Sequence, residues 1–440
     1  MVKRHVEDVS RRGLVTVGVG AAATTLVAFT PPGAEAIIGS IQGRCRDVVH
    51  VKDHGVTADG VTNDTAALQS AIIEAARRGC DLDFGDGTIL VYARLDGTRL
   101  ANNKLFGGAT IKAASGTDFE YLLDISGTTG VTLEGLTFNA NKTGRRSAVG
   151  RLSCIKMNAT VMPRLLQVTC KNTLGLASPT SSSVAIRASD GTQGLSADGL
   201  KFINLGNGPN DRPSDGIFIR GDHCIVTNTY GEGVTDHIAV LEGCNYSRLI
   251  GTTGKNCTSF VAMSNDQTTD VTGNVIDGVS GTCNYFGSFG AIVGIYTFST
   301  GWIRGCVVTN VSVRGASGAG GGGPAVLCSG NIEGDLSRMN IHPGASTGVM
   351  HQAILINITG GGSGLRIRNS VFEVEGGANV VRIQNASNGV LFEDCDFREG
   401  AIGIFADGTS SFTEARNRFL GQSGDRIGLG GSATFNRPIP

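Results

Sequence analysis

The chain has 440 residues, of which 66 are Gly and only 10 are Pro, and its 37 basic and 38 acidic residues leave a formal net charge of −1. This balance excludes the basic field that marks nucleic-acid binding. A charged fraction of 17% at a mean hydropathy of +0.05 excludes intrinsic disorder, which needs low hydrophobicity and high net charge.

Residues 1–36 have the pattern of an export signal. A basic start is followed by the uncharged apolar run 13–29 and by the small-residue cleavage site Ala34-Glu35-Ala36. Ser10-Arg11-Arg12 resembles the twin-arginine motif for export of folded proteins, and an ordinary Sec signal is the alternative. We predict cleavage after the signal peptide, the twin-arginine translocation machinery as a transient partner, and a periplasmic or extracellular protein with no membrane attachment after cleavage.

One segment, residues 64–78, has helical periodicity. Apolar residues recur at positions 68, 72, 73, 75 and 76, with Asn63 or Asp64 as the N-cap and Gly79 as the stop signal. The pattern predicts a short amphipathic α-helix near the start of the mature chain.

The remainder of the chain repeats two kinds of short apolar segment. Segments of the first kind begin at residues 214, 235 and 258, which are steps of 21 and 23 residues, and those of the second kind carry Asn at positions 204, 228, 310 and 369. A period of 20–30 residues with alternating polarity is typical of a β-solenoid, in which neighbouring coils complete one core. We therefore predict an all-β fold, a parallel β-helix over residues 37–440 as one domain, with Asn in its turns and a monomeric state.

The 11 Cys residues have no spacing typical of a metal site, so no metal is predicted from them. Most lie in apolar, strand-like segments, where buried small hydrophobic residues are the first interpretation and one or two disulfides are the alternative.

The stretch 53–79, followed by Asp83-Phe84-Gly85-Asp86-Gly87-Thr88, resembles the opening of the pectate-lyase-like superfamily. That resemblance implies a right-handed parallel β-helix whose N-terminal end is covered by the short helix. Lyases, hydrolases, epimerases and phage spikes share this opening, so it implies a fold and not a reaction.

The candidate site comes from aligning the segments of the first kind. The alignment places Asp215, Asp236 and Ser259 in one column at the strand spacing of about 4.8 Å, with His237 beside Asp236. Two neighbouring carboxylates repel, so one of them should hold a proton near neutral pH, as glycosidic acid–base cleavage requires. Turn capping by the Asp side chains and a solvated His237 are the structural alternatives.

Two short motifs resemble those of the polygalacturonase family of glycoside hydrolases: Pro213-Ser214-Asp215-Gly216 and Asp236-His237-Ile238-Ala239. The resemblance implies that Asp236 is the proton-donating acid, that Asp215 is a further catalytic Asp, and that His237 replaces a catalytic Asp. The family's Gly-His-Gly and its uronate-binding Arg-x-Lys have no counterpart near residues 258–259 and 291–293.

Four further residues are candidates for substrate binding: Arg220, Lys255, Ser259 and Asp211. The two cations would attract an anionic sugar, and Asp211 belongs to a Gly/Pro/Asn loop at the edge of a cleft, while solvent exposure is the alternative for both cations. Tyr296 is among the aromatic residues that would either stack on sugars or fill the core.

These observations predict a secreted, polysaccharide-degrading glycoside hydrolase that needs no cofactor. A Ca²⁺-dependent lyase acting on uronates is the first alternative, although only Asp215, Asp236 and Asp211 would cluster as ligands. A non-catalytic glycan-binding or surface β-helix is the second alternative.

Overall fold

The computed structural model describes residues 47–145, 150–175, 183–207, 212–283, 291–315, 324–342, 352–358, 364–374, 378–385 and 387–436. The predicted signal peptide and Asp211 lie outside these ranges. None of the helices within them is long and apolar enough to cross a membrane.

The described strands, numbered along the chain, form two sheets in which every pairing between named strands is parallel. The 13-stranded sheet contains β5 (Leu95–Asp96), β8 (Tyr121–Asp124), β11 (Ser153–Lys156), β14 (Ser183–Gln193), β17 (Ser214–Asp222), β19 (Ala239–Glu242), β21 (Val261–Asn265), β24 (Val293–Thr297), β26 (Val326–Ser329), β28 (Ile354–Asn357), β31 (Val381–Ile383), β34 (Ile404–Ala406) and β37 (Ile427–Leu429). The 25-stranded sheet contains β1 (Val48–His50), β2 (Asp59–Asn63), β3 (Asp81–Asp83), β4 (Thr88–Val91), β6 (Lys104–Phe106), β7 (Thr110–Ala113), β9 (Thr132–Glu134), β10 (Thr137–Asn139), β12 (Arg164–Leu166), β13 (Thr169–Lys171), β15 (Ser196–Asp198), β16 (Lys201–Leu205), β18 (Ile225–Val234), β20 (Arg248–Cys257), β22 (Val271–Thr272), β23 (Val275–Cys283), β25 (Ile303–Gly315), β27 (Ile332–His342), β29 (Leu365–Arg368), β30 (Val371–Val374), β32 (Val390–Glu393), β33 (Asp396–Glu399), β35 (Ser411–Ala415), β36 (Arg418–Leu420) and β38 (Thr434–Asn436).

Each coil contributes one strand to the 13-stranded sheet and then passes through the 25-stranded sheet. Ile217, Ala239, Val261 and Val293 are register partners on four successive coils, and all four are fully buried. Such inward columns of apolar side chains form the continuous core, because no single coil can bury its own apolar face. The chain is thus a right-handed parallel β-helix, as the sequence predicted.

The Asn residues singled out from the sequence occupy left-handed turns. Asn204, Asn228, Asn310 and Asn369 have φ values of 57°, 53°, 55° and 49°. The side-chain amide of Asn204 also donates to Asn172 Oδ1 on the preceding coil at 2.9 Å. The prediction of Asn in the turns is therefore confirmed, since Asn tolerates this backbone region and its amide links adjacent coils.

Helix α1 (Thr65–Arg78) covers the N-terminal end of the β-helix and confirms the helix prediction. A 3-10 helix, Val51–His54, precedes it. Leu68 and Ile72 are buried, as the apolar spacing requires, and α1 packs against β1, β3 and β5. The helix ends at Gly79, whose φ of 65° is left-handed and whose N–H donates to the carbonyls of Ala75 and Ala76.

Ten of the 11 Cys residues lie in the described ranges, and all ten are free and buried. They behave there as small hydrophobic side chains, which agrees with the first interpretation of the sequence.

Candidate functional site

The candidate site lies on the outer face of the 13-stranded sheet, at the start of β17 and just before β19. Three side chains meet there: Asp215, His237 and Asp236. The sequence alignment placed Asp215 opposite Asp236, and this detail is wrong. The strands pair Ile217 with Ala239, a step of 22 residues, which places Asp215 opposite His237. The same step between Ala239 and Val261 places Ser259 next in that column.

A local β-bulge lies just before β19. The backbone N–H groups of Ile238 and Ala239 both donate to the carbonyl of Phe260, at 3.0 and 3.1 Å. Ile238 and Ala239 are consequently both buried, whereas strict alternation would expose one of them. The bulge turns His237 toward the outer face of the sheet, next to Asp215.

The three side chains form one hydrogen-bonded unit. His237 Nδ1 lies 2.8 Å from Asp236 Oδ1 and 3.3 Å from Asp215 Oδ1, and the backbone N–H of His237 donates to Asp215 Oδ1 at 3.0 Å. The exposed fractions of the side chains are 6% for Asp215, 13% for His237 and 27% for Asp236. Asp236 is therefore the member that an incoming ligand reaches most directly.

Burial and charge shift the proton affinities of this unit. Burial, together with repulsion by Asp236, raises the pKa of Asp215 to about 6, although hydrogen bonds from His237 oppose the shift. Burial alone would lower the pKa of His237, but electrostatic attraction to Tyr296 and to the two carboxyls raises that pKa well above its ordinary value. The site therefore combines a carboxyl of unusually high proton affinity with a histidine whose pKa is also raised.

Among the described residues, these three side chains are the group that could hold a metal ion. Each offers one ligand atom, and these atoms lie within 4.8 Å of one another. Ca²⁺ prefers six to eight oxygen ligands, whereas this set supplies two carboxylates and an imidazole nitrogen. The donor set therefore does not fit the Ca²⁺ site of a lyase.

An apolar floor extends from the unit along the outer face of the sheet. Phe218, Val240, Ala262 and Gly294 are register partners on four successive coils. A Cβ atom at Gly294 would lie 2.5 Å from Tyr296 Cε1, so the Tyr296 ring lies directly over this glycine. Burial, and then the neighbouring carboxyls, raise the pKa of Tyr296 despite an opposing effect of His237.

Tyr296 therefore belongs to the site, although the sequence identified it only as one of several aromatic candidates. It follows His237 by 59 positions, and only the coil register brings the two together. The glycine two residues before it, which leaves room for the ring, is the one local signal in the sequence.

The predicted substrate-binding residues fall in different places. Arg220 lies on the same outer face, but Glu242 and Asp266 both pair with its guanidinium, the latter at 2.5 Å. Lys255 lies in β20 of the 25-stranded sheet, where it is exposed and pairs with Glu232 at 3.3 Å. Ser259 is fully buried next to His237 in the column, and its backbone N–H donates to the Asp236 carbonyl at 3.1 Å.

No protein-family model and no curated protein sequence matches the chain. Solved structures do match it. The catalytic unit of a thermostable GH87 α-1,3-glucanase from Streptomyces thermodiastaticus is 13% identical with a TM-score of 0.55, and the match covers 89% of this chain and 68% of that one.

Two further solved structures are similar over their full length. The A-module of the mannuronan C-5 epimerase AlgE6 of Azotobacter vinelandii is 15% identical with a TM-score of 0.52, and the match covers 89% of this chain and 99% of that one. The surface protein and adhesin PfbA of Streptococcus pneumoniae is 13% identical with a TM-score of 0.50, with 88% and 100% covered. Together with the parallel sheets, these likenesses identify the chain as a member of the right-handed parallel β-helix proteins.

Proposed function

We propose that this chain is an exported glycoside hydrolase that cleaves a polysaccharide on the outer face of the 13-stranded sheet. The observation that carries the proposal is the Asp215–His237–Asp236 unit, in which burial raises the pKa of one carboxyl to about 6 beside His237, whose pKa is also raised. Titratable groups with proton affinities shifted by burial and by specific partners are typical of acid–base catalysis.

In this proposal Asp236 is the general acid, because its side chain is the most exposed of the three. Asp236 takes a proton from His237 Nδ1, 2.8 Å from Asp236 Oδ1, and passes it to the glycosidic oxygen as the bond from that oxygen to the anomeric carbon breaks. Water supplies the hydroxyl that the anomeric carbon receives.

Asp215 is the proposed base that takes the proton from this water. A carboxylate with a pKa of about 6 is ionised at neutral pH and binds a proton more strongly than an ordinary Asp, so it suits a base that works near pH 6–7. The proton gained by Asp215 can pass back through His237, which contacts both carboxyls, and the site returns to its starting state.

The apolar floor supports a sugar substrate. Phe218 and Tyr296 supply aromatic surface, and sugars present apolar C–H faces that pack on such rings. Of the similar structures, one is an α-1,3-glucanase and one a mannuronan epimerase, both with polysaccharide substrates by name. The twin-arginine-like N-terminus supports export to the place where such polymers occur.

The test is release of reducing ends from a panel of neutral and acidic polysaccharides, with and without EDTA and with detection of unsaturated products. We expect reducing ends without unsaturation and no effect of EDTA. Asp236→Asn should remove the activity, while the matched Asp407→Asn variant, which changes a carboxyl on the same face bonded to Arg382, should keep it. Unsaturated products that disappear with EDTA would identify a lyase, and binding without any cleavage would identify a non-catalytic glycan-binding protein.

A further inference from the structure

Two cationic side chains, Lys156 and Arg187, lie in one row on the outer face of the 13-stranded sheet, on the coils that precede Asp215. The register places Asp124, Lys156, Arg187 and Phe218 in one outward column on four successive coils. This column runs directly into the apolar floor of the candidate site, because Phe218 is the first member of that floor.

The charges in this row are incompletely balanced by the described residues. Asp124 Oδ2 lies 3.8 Å from both Lys156 Nζ and Arg94 Nη1, so one carboxylate serves two cations at a long distance. Asp124 Oδ1 is occupied by the hydroxyl of Ser126 at 2.6 Å. The Lys156 side chain is 30% exposed and therefore open to a ligand.

Arg187 has no carboxylate partner among the described residues. Its Nε donates to Ser189 Oγ at 3.1 Å, and its guanidinium carbon lies 5.9 Å from the centre of the Phe218 ring. Arg220 on the same face differs, because two carboxylates neutralise it.

Lys156 and Arg187 are direct register partners, and like charges placed opposite each other destabilise a sheet. An anion bound between them would remove this repulsion. The guanidinium can bind a carboxylate or sulfate through two parallel hydrogen bonds, while the ammonium adds a point charge.

We propose that Lys156 and Arg187 form a binding site for the anionic group, carboxylate or sulfate, of a saccharide unit that stacks on Phe218. The inference rests on the proposed function, since Arg187 and Lys156 lie one and two coils before Asp215, about 5 and 10 Å along the stack, and three residues further along the strand than the register partner of Asp215. The substrate is then an acidic polysaccharide, bound by residues on the N-terminal side of the cleavage point. Of the two cations that the sequence suggested for this task, Arg220 is paired with Glu242 and Asp266, and Lys255 lies in the other sheet.

The test is binding of three probes to protein carrying Asp236→Asn, which prevents cleavage: polygalacturonate, the sulfated galactan carrageenan and the neutral glucan dextran. We expect binding of at least one acidic probe that weakens with added salt and is at least tenfold tighter than dextran binding. Lys156→Met with Arg187→Met should lower this affinity at least tenfold. The matched Arg382→Met variant, which lies in the same column but pairs with Asp407 at 2.9 Å, should bind normally.

Equal binding of dextran, unchanged binding by the Lys156/Arg187 variant, or no binding of either acidic probe overturns the inference. Circular dichroism of each variant confirms that the β-helix is intact. The two acidic probes separate carboxylate from sulfate recognition. If the unsubstituted protein cleaves a neutral glucan and no acidic probe binds, this inference is refuted and the proposed hydrolysis stands. If an acidic probe binds but the unsubstituted protein cleaves nothing, the proposed hydrolysis is refuted and the binding site stands.

Discussion

Replacing Asp215 by Asn should stabilise the protein at neutral pH. The pKa of Asp215 is about 6 in the folded chain, against an ordinary value of 3.8, because burial and Asp236 disfavour its ionised form. Because the pKa of this carboxyl is higher in the folded chain than in the unfolded one, the free energy of unfolding falls as the pH rises from the unfolded-state pKa to the folded-state pKa. Above the folded-state pKa the full destabilisation is present. The difference between the two pKa values corresponds to a destabilisation of about 3 kcal/mol above pH 6 and to no destabilisation below about pH 3.5.

Asn removes this cost while keeping an oxygen that accepts the hydrogen bond from the His237 backbone N–H. Urea denaturation at pH 7 and pH 3.5, followed by the fluorescence of Trp302, the single Trp in the chain, measures the effect. The variant should gain up to about 3 kcal/mol relative to the parent protein at pH 7 and nothing at pH 3.5.

Asp198→Asn is the matched control, in which the change in the free energy of unfolding at neutral pH should have the opposite sign. Side-chain hydrogen bonds from Thr227 and Asn228 lower the pKa of Asp198, so its ionised form stabilises the fold at neutral pH and this contribution disappears in acid. The control should lose stability at pH 7 and little at pH 3.5. If Asp215→Asn loses stability at pH 7 as the control does, Asp215 is an ordinary capping carboxylate and the argument for a catalytic base fails.

Four other outcomes are expected. Asp236→Asn should lower kcat about 10²- to 10⁴-fold with an unchanged circular dichroism spectrum, as loss of a positioned acid does. Gly294→Ala should displace the Tyr296 ring, since the new Cβ would lie 2.5 Å from that ring, and should lower kcat/KM about 10- to 100-fold. In the double variant, Gly294→Ala should not lower kcat/KM below the value for Tyr296→Ala alone. Leu68→Ala, in the buried face of α1, should cost about 2–5 kcal/mol in urea denaturation, more than an exposed substitution. Lys at both positions of Arg11-Arg12 should leave folded precursor in the cytoplasm, detected by fractionation, and normal export would indicate a Sec signal.

The sequence predicts the fold well because the fold rests on local and periodic signals. The helix α1 has its own apolar spacing and its own stop at Gly79. Asn204 and Asn228 mark left-handed turns through their backbone preference, which is a property of single residues. The period of 20–30 residues then implies stacked coils without any knowledge of which residues touch.

The site is less predictable, because it depends on register between coils. Motif starts spaced by 21 and 23 residues suggest that Asp215 and Asp236 are opposite, yet the strands pair with a step of 22. The bulge at Ile238 and Ala239 is not marked by any turn residue, since both residues are apolar and both are buried. The counter-ions of Arg220 arise in the same way, from coils 22 and 46 residues further along the chain.

This register also explains how a buried acid–base unit can exist without a third carboxylate. At the position opposite Asp215, where the polygalacturonase motif would place an Asp, His237 lies between the two carboxyls, with Nδ1 3.3 Å from Asp215 Oδ1 and 2.8 Å from Asp236 Oδ1. A third carboxylate there would add repulsion to a side chain that is already only 6% exposed, and burial of an unpaired charge is costly. His237 instead offers one nitrogen to both carboxyls, at hydrogen-bond distance from each. In the proposed mechanism His237 therefore keeps acid–base groups together where the motif has an Asp, and in the further proposal Lys156 and Arg187, on the same face, bind the anionic group of the substrate.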